Sequence, residues 1–545
     1  MSGGVDSMAL AALCSQVQQT PYSNLRTLLQ SDFDKDASHS PLSRDIKFQA
    51  FVVDHGVRKG SDLEAQAVSK VLEERKIPTQ LLKIDWTGHE KPGELPNFES
   101  LARKYRFQVL GKACRDLRIN SLLLAHHEDD QAETVMARLA TGHRASGLVG
   151  MKPSAEIPEC YSLHSVHESG GLDILEWREH KTTAPTLDLP VKPAHIPSLL
   201  PLELETGGVR IYRPLLGFSK ERLISTCVEE RMEWFEDHTN KDPTVTMRNA
   251  IRHMHKSHEL PAALSKPAIL ELSRKCRNNQ LARREVVNSL LELCSIKFGT
   301  RTGTLRVRFA NLNNPNLSQL PRSEADRKHI AALLLHRIVM LATPKEHVNR
   351  PSLMSAVERV FPECLWMQEP PPLTSFTIAG LLFKYPFPHN LEKDLTPGRK
   401  CEWLISRQPF KKGSPQPEID IPVDSTWSPW ILYDGRFWIR VQNLMERSLV
   451  IRPFGFNKPL ALNDPWPFRH PRDAPDSLML REVLNGVARH RVTGTLPAIA
   501  SRDPDGMERV LALPTLGVSI PNVEQLVKWD VRYKKVDTEH IFTLP

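Results

Sequence analysis

The run His126-His127-Glu128-Asp129-Asp130-Gln131-Ala132-Glu133-Thr134 concentrates side chains that could do chemistry. Asp130 and Glu133 are three apart and therefore share a face of any helix that carries them. Two carboxylates on one face can bind a cationic substrate or hold Mg²⁺. An imidazole beside them can take a proton near neutral pH, and His126, His127 and His55 are all candidates for that base. Acids also favour a helix N-terminus for its dipole alone, so the pair gains its meaning from what stands near it. Ser2-Gly3-Gly4-Val5-Asp6-Ser7 is the second group. Two glycines without Cβ atoms let backbone N–H groups close on a ligand, Ser2 and Ser7 add hydroxyls, and the apolar run Met8 to Leu13 reads as a helix. The positive end of that helix points at the same spot, which is how many folds hold phosphate. Arg248 and Arg252, four apart, are suited to grip a phosphate or nucleotide.

The elements that must position these residues alternate. Ile46 to Val53 reads as a strand ending in Asp54-His55-Gly56, with a continuously apolar end typical of a strand covered on both faces. A helix from about Ser61 carries Ala65, Val68 and Leu72 on one stripe, and Leu81 to Ile84 is strand-like. Phe98 to Leu117 is the next helix, Leu122 to Ala125 a short strand delivering His126 and His127, and Glu128 to Ala140 a further helix stopped by Gly142. Strand alternating with helix means a parallel α/β sheet, whose ligands bind beyond the carboxyl ends of the strands. Asp54, His55, His126 and His127 stand at such ends. Ser31 to Arg44 reads as a polar surface loop, and residues 153–208 as an insertion loop. Val209 to Leu216 restores order, followed by a helix from Ser219 with a near capping box.

The later chain has a different character. Residues 256–300 read as a basic helical linker. His253, His255 and His258 within and before it read as an RNA-facing basic segment rather than a metal site, because no acid or cysteine completes a shell. Residues 301–545 read as a loop-rich α+β region. Thr304 to Phe309 alternates strictly, Glu324 to Leu341 is a helix with Ser323 placed to cap it, and Ile431 to Val441 is a hairpin around Asp434-Gly435. Leu496 to Ala500 and Val510 to Leu513 flank the turn Asp503 to Gly506.

A chain of 545 residues with 40% hydrophobic and 25% charged residues is too long for one core and suggests two or three domains. No apolar run approaches the length of a membrane span. The net charge of +8 and pI near 9.0 suit a polyanionic partner such as RNA. The eight cysteines, Cys14, Cys114, Cys160, Cys227, Cys276, Cys294, Cys364 and Cys401, form no CxxC pair. That spacing argues against a disulfide framework, structural zinc or a cysteine-held iron–sulfur cluster, and implies a reducing compartment.

The SGGVDS loop resembles the pyrophosphate loop of the N-type ATP pyrophosphatases. VDHGVR at 53–58, LARKYRF at 101–107, HHEDDQAET at 126–134, GLVGM at 147–151, YRPLL at 212–216 and DHTNKDPTVTMRNAIR at 237–252 follow in order. Together they resemble the tRNA(Ile)-lysidine synthases, over about the first half of the chain. The resemblance implies a Rossmann-like parallel sheet of the adenine nucleotide α-hydrolase type over residues 1–255. It implies ATP and Mg²⁺ as cofactors, with Ser2, Gly3, Gly4, Val5, Asp6, Ser7, Asp54 and His55 at the nucleotide and Asp6 a Mg²⁺ ligand. The partners implied are an isoleucine tRNA with a CAU anticodon and free L-lysine. Lysine would be held by Asp130, Glu133 and Arg252, and catalysis would involve His126, His127, Asp130 and Arg248. A tRNA thiolase of the same fold is the nearest alternative, followed by an inactive RNA-binding relative. The C-terminal likeness is faint, and tRNA binding there is expected by analogy. The loop opens at Met1 without the strand that normally presents it, so coding sequence upstream is expected. The proline-laden insertions suggest a mitochondrial version.

Overall fold

The computed structural model describes residues 1–20, 46–57, 60–88, 92–167, 201–235, 247–257, 260–312, 321, 323–361, 374–384, 402–411, 413–454, 492–502, 508–519 and 523–537. The expected loop at 31–44, most of the insertion, Arg58, Asp237 to Asn240, His258 and the turn at 503–506 lie outside them. The chain forms two compact units, Met1–Trp177 with Gly207–Leu281, and Arg178–Thr206 with Ala282–Pro545.

The first unit is α/β. Its elements are α1 (Val5–Gln19), β1 (Ala50–Asp54), α2 (Ser61–Glu74), β2 (Thr79–Lys83), α3 (Phe98–Asp116), β3 (Ser121–Leu123), α4 (Glu128–Ala140), β4 (Ser154–Glu156), β5 (Arg210–Tyr212), α5 (Lys220–Glu229) and α6 (Met247–Ser257). α7 (Lys266–Glu292) begins in this unit. β1 pairs in parallel with β2, and β3 in parallel with β5, while β4 runs antiparallel to β5. β1 shows why its sequence is apolar throughout. Ala50 and Val52 pack with Met8, Ala12, Val68 and Leu72 on one face. Phe51 packs on the other with Phe107, Leu110, Leu122 and Ile211. A strand covered on both faces needs no alternation. β2 is less covered: it forms the expected strand, with Leu81 exposed.

Two expectations change. Residues 153–167 are not a plain loop: β4 joins the sheet, and Ile157, Cys160 and Val166 enter the core with Phe107. Three buried residues at irregular spacing leave no periodic signal. Ser219 and Ser323 occupy N-cap positions, yet neither side chain makes the capping bond.

In the second unit, β6 (Ser295–Gly299), β7 (Thr304–Arg308), β8 (Phe376–Ile378), β9 (Leu381–Lys384) and β10 (Glu402–Arg407) form an antiparallel sheet in the order β6-β7-β10-β9-β8. The helices α8 (Glu324–Ala342) and α9 (Arg350–Val360) share one core with it through Leu334, Ile338, Leu353, Val357, Leu305 and Phe383. Leu305 and Val307 point inward and Arg306 and Arg308 outward, as the alternation predicts. The expected hairpin is present: Ile431 pairs with Ile439 and Tyr433 with Phe437 across the turn. Asp434 and Gly435 both take positive φ there, 46° and 60°. The strands Pro497–Arg502 and Glu508–Leu513 pair antiparallel, as their sequence suggests. The expected basic linker at 256–300 contains α7 and the whole of β6, so the second unit's sheet begins before residue 301.

Candidate active site

The glycine loop sits where its sequence requires. Gly4 is the N-cap of α1, and its carbonyl accepts from the Ser7 and Met8 N–H groups at 3.0 Å. Gly3 has φ of +78°, and a Cβ there would lie 2.7 Å from Val68 Cγ2, so glycine is needed both for the backbone turn and for space. Its carbonyl accepts from Phe235 N at 2.9 Å. The Met1 nitrogen donates to the Phe51 carbonyl of β1, beside which the loop lies. Ser7 Oγ donates to Gly4 O at 2.9 Å, and Ser2 Oγ lies 3.4 Å from Ser7 Oγ. The start of α1 thus gathers backbone N–H groups and hydroxyls at a helix dipole's positive end.

α4 begins with a cap that its sequence conceals. His127, not a serine or aspartate, is the N-cap residue: its Nδ1 accepts from Asp129 N, and Asp130 Oδ2 accepts from His127 N, both at 3.2 Å. Its Nε2 lies 3.5 Å from Asp6 Oδ2 and 3.5 Å from Asp130 Oδ2. Burial works against a charge on this ring. Hydrogen bonds to Asp129 and Asp6 and the charges of Asp130 and Asp6 outweigh it and raise its pKa to about 9. A bare Nδ1 caps the helix when the ring is neutral. When the ring is charged, the same nitrogen donates to Asp129 Oδ2, 3.4 Å away. Asp129 is itself held well below the usual carboxylate range by His127 and then Lys266.

His126 has the opposite environment. Burial, with Arg213, Arg248 and Arg106 nearby, lowers its pKa to about 4 against the pull of Asp130. Arg213 Nε donates to its Nδ1 at 3.3 Å. Arg103 and Arg106 flank the Phe107 ring at 4.9 and 5.6 Å from its centroid. These arginines form a cationic surface around His126, and no spacing rule in the sequence reveals it. LARKYRF and YRPLL come together only because α3 and β5 lie against one core.

Asp130 and Glu133 do share a face of α4, and Arg252 of α6 reaches both. Arg252 Nε donates to Glu133 Oε1 at 2.5 Å, and Nη2 to Glu133 Oε2 at 2.9 Å, a two-bond fork, with Asp130 Oδ1 3.5 Å from Nη2. Burial raises the Glu133 carboxyl, and Arg252 works against that rise. Arg248 is exposed on the same helix. Gln131 explains a further motif. Its amide donates to the Val149 and Met151 carbonyls at 3.2 Å and accepts from Met151 N at 2.7 Å, so GLVGM clamps the helix carrying the acids.

Asp54 acts locally. Its Oδ1 accepts from Gly56 N at 2.8 Å and Ser61 Oγ at 2.7 Å, shaping the turn into α2. His55 follows it at the end of β1, its carbonyl accepting from Trp86 Nε1. Asp6 offers one oxygen to His127 and to Lys220, whose Nζ is 3.8 Å away. Its other oxygen, Oδ1, is buried without a hydrogen-bond partner. A buried bare carboxylate oxygen beside a phosphate-type loop suits a divalent cation. His127 with the Lys220 charge keeps the Asp6 carboxyl ionised against its burial. Among the described residues, no three His, Cys, Asp or Glu side chains group as metal ligands, so most of such an ion's shell would come from phosphate and water. The Cys14 thiol is pushed up by burial to about 11, and Cys114 and Cys160 to about 12, so these sulfurs stay protonated.

Comparison with known proteins agrees with this geometry. The family model described as a PP-loop domain matches residues 1–168 and 196–258. A "Probable tRNA(Ile)-lysidine synthase" of Schizosaccharomyces pombe is 29% identical over 411 residues, 75% of this chain and 74% of its own. A tRNA(Ile)-lysidine synthase of Mesorhizobium japonicum is 30% identical over 44% of this chain and 38% of its own length. One of Chlamydia caviae is 30% identical over 37% of this chain and 65% of its own. The chain thus spans less than two thirds of either bacterial relative.

Proposed function

We propose that this chain is a PP-loop enzyme of the tRNA(Ile)-lysidine synthase family, a reading its similarities support, and that it uses ATP to activate a cytidine in an isoleucine tRNA and then joins L-lysine to it. The cytidine C2 carbonyl oxygen attacks the α-phosphorus of ATP and pyrophosphate leaves. The lysine ε-amine then attacks C2, the C–O bond to AMP breaks, and the amine gives up its proton. The observation that carries the reading is the convergence of three groups: the glycine loop at α1, the Asp130–Glu133 face at the start of α4, and the arginines around His126.

Each group has its part in that reaction. Ser2, Gly3, Gly4, Val5, Asp6 and Ser7 hold the phosphates by N–H and hydroxyl donors. Asp6 would hold Mg²⁺, which would offset charge on the leaving pyrophosphate. Asp130 and Glu133 match a cationic amino acid, because a partly buried ammonium needs carboxylate partners. Arg103, Arg106, Arg213 and Arg248 suit the phosphates of an RNA strand. His127 is bound up between carboxylates as a cation. His126, kept neutral, has its acceptor Nδ1 on Arg213 Nε, and it would take the attacking amine's proton there once that bond opens. Sulfur delivery finds less support, since the buried Cys14, Cys114 and Cys160 thiols stay protonated. A mitochondrial setting rests only on the proline-laden insertions.

The test is a lysine-dependence assay. The purified chain is incubated with ATP, Mg²⁺, labelled lysine and CAU-anticodon tRNA, and label on the tRNA is counted beside AMP. Label appearing with one AMP per lysine supports the reading. AMP release that depends on a sulfur donor, or tRNA binding without AMP, overturns it.

A further inference from the structure

We propose that Arg252 is a tethered stand-in for the substrate cation: its guanidinium occupies the Asp130–Glu133 pair until free lysine displaces it. This inference rests on the reading that these acids receive lysine. Both cations would compete for the same carboxylate oxygens. The Arg252 fork takes both oxygens of Glu133 at 2.5 and 2.9 Å and reaches Asp130 at 3.5 Å. The Glu133 side chain is only 6% exposed and Asp130 13% exposed, so a lysine ammonium must meet the same oxygens from the same side.

The two ends of the contact differ in freedom. Glu133 lies within α4, clamped through Gln131 and packed through Ala132 and Val135. The Arg252 side chain is 35% exposed at the rim. A rotamer change carries it to water while α6 stays in place. In exchange, the acids are never left bare: an unpaired buried carboxylate is strongly disfavoured, and the bound guanidinium removes that penalty in the lysine-free state. A neutral or acidic side chain cannot compete with a forked guanidinium, whereas a cationic side chain can. Arg252 therefore acts on selectivity, by making every ligand outbid an internal cation.

A competitor of this kind lowers apparent affinity by the fraction of time the site is open. Calorimetric titration of L-lysine into the full chain tests it, with wild type, Arg252→Gln and Arg252→Ala. We expect lysine to bind roughly tenfold more tightly to both variants. Ethylguanidinium added to Arg252→Ala should then weaken lysine binding back towards wild type. Arg252→Lys keeps a cation and the helix, and gives a smaller gain because an ammonium cannot fork; it serves if the neutral variants fail to fold. Weaker lysine binding in the variants, or no competition by ethylguanidinium, overturns the proposal and makes Arg252 a direct lysine ligand or a structural pair. If no protein binds lysine while ATP and tRNA still bind, the functional reading itself has failed.

Discussion

His127 Nε2 lies 3.5 Å from Asp6 Oδ2, so one imidazole joins the cap of α4 to the glycine loop of α1. Its neighbour His126 has no such carboxylate lock and is instead hydrogen-bonded by Arg213. Of two adjacent residues of one type, one is thus charged and the other neutral at neutral pH. The signs give a stability test. His127 has its pKa raised from 6.5 to about 9, so its contribution is complete below pH 6.5 and is lost as pH rises through 9. His126, lowered to about 4, costs stability as pH falls from 6.5 towards 4. In urea melts, the advantage of wild type over His127→Asn should shrink between pH 6.5 and 9. That over His126→Gln should shrink on the acid side. Above pH 9, where the neutral ring caps α4 through Nδ1, His127→Ala loses that cap, about 1 kcal/mol.

Gly3 and Gly4 should respond differently to alanine. At Gly3 the Cβ meets Val68 at 2.7 Å and φ is +78°, so Gly3→Ala should cost about 1–3 kcal/mol in a denaturant melt. Adding Val68→Ala should restore only the part due to the clash. At Gly4 the nearest atom is Ser2 Oγ at 3.6 Å, so Gly4→Ala should fold normally and lose ATP affinity. Equal stability losses would show that the loop is not held as described.

Asp6 should set the Mg²⁺ requirement. Its bare Oδ1 is the atom that suits the ion. Asp6→Asn should raise the Mg²⁺ concentration for half-maximal AMP release by about tenfold or more, while the chain stays folded. An unchanged Mg²⁺ titration would remove Asp6 from the ion's shell.

The arginines around His126 should appear in the salt dependence of tRNA binding. Each phosphate contact removed lowers the slope of log affinity against log salt by about one. Arg106→Ala should show that change, and the double variant with Arg103→Ala about twice it. Slopes equal to wild type would leave this surface outside the RNA path.

The second unit offers a stability test that avoids the site. Arg436 is fully buried, donating to Asp434 Oδ2 at 3.0 Å and Thr495 O at 2.7 Å, and Arg407 also bonds Asp434. Asp434→Asn keeps the positive φ that asparagine accepts but leaves a buried guanidinium short of its counter-charge. A loss of about 3–5 kcal/mol is expected in a thermal or urea melt.

Local chemistry was written into the chain. Consecutive glycines before Met8, the three-residue spacing of Asp130 and Glu133, and the alternation at Thr304 to Arg308 each follow from backbone freedom or from the period of one element, and all appear as read. Tertiary structure decided what those residues face. Nothing in the order of residues says that His127 caps α4 while facing Asp6. Nor does it say that Arg252 fills the acid pair, or that Arg106, Arg213 and Arg248 surround His126. Even the charges of His126 and His127 were undecided, because a pKa depends on burial and on charges brought near from distant parts of the chain. Periodicity reports the face a residue takes on its own element; only packing chooses the partner it meets there.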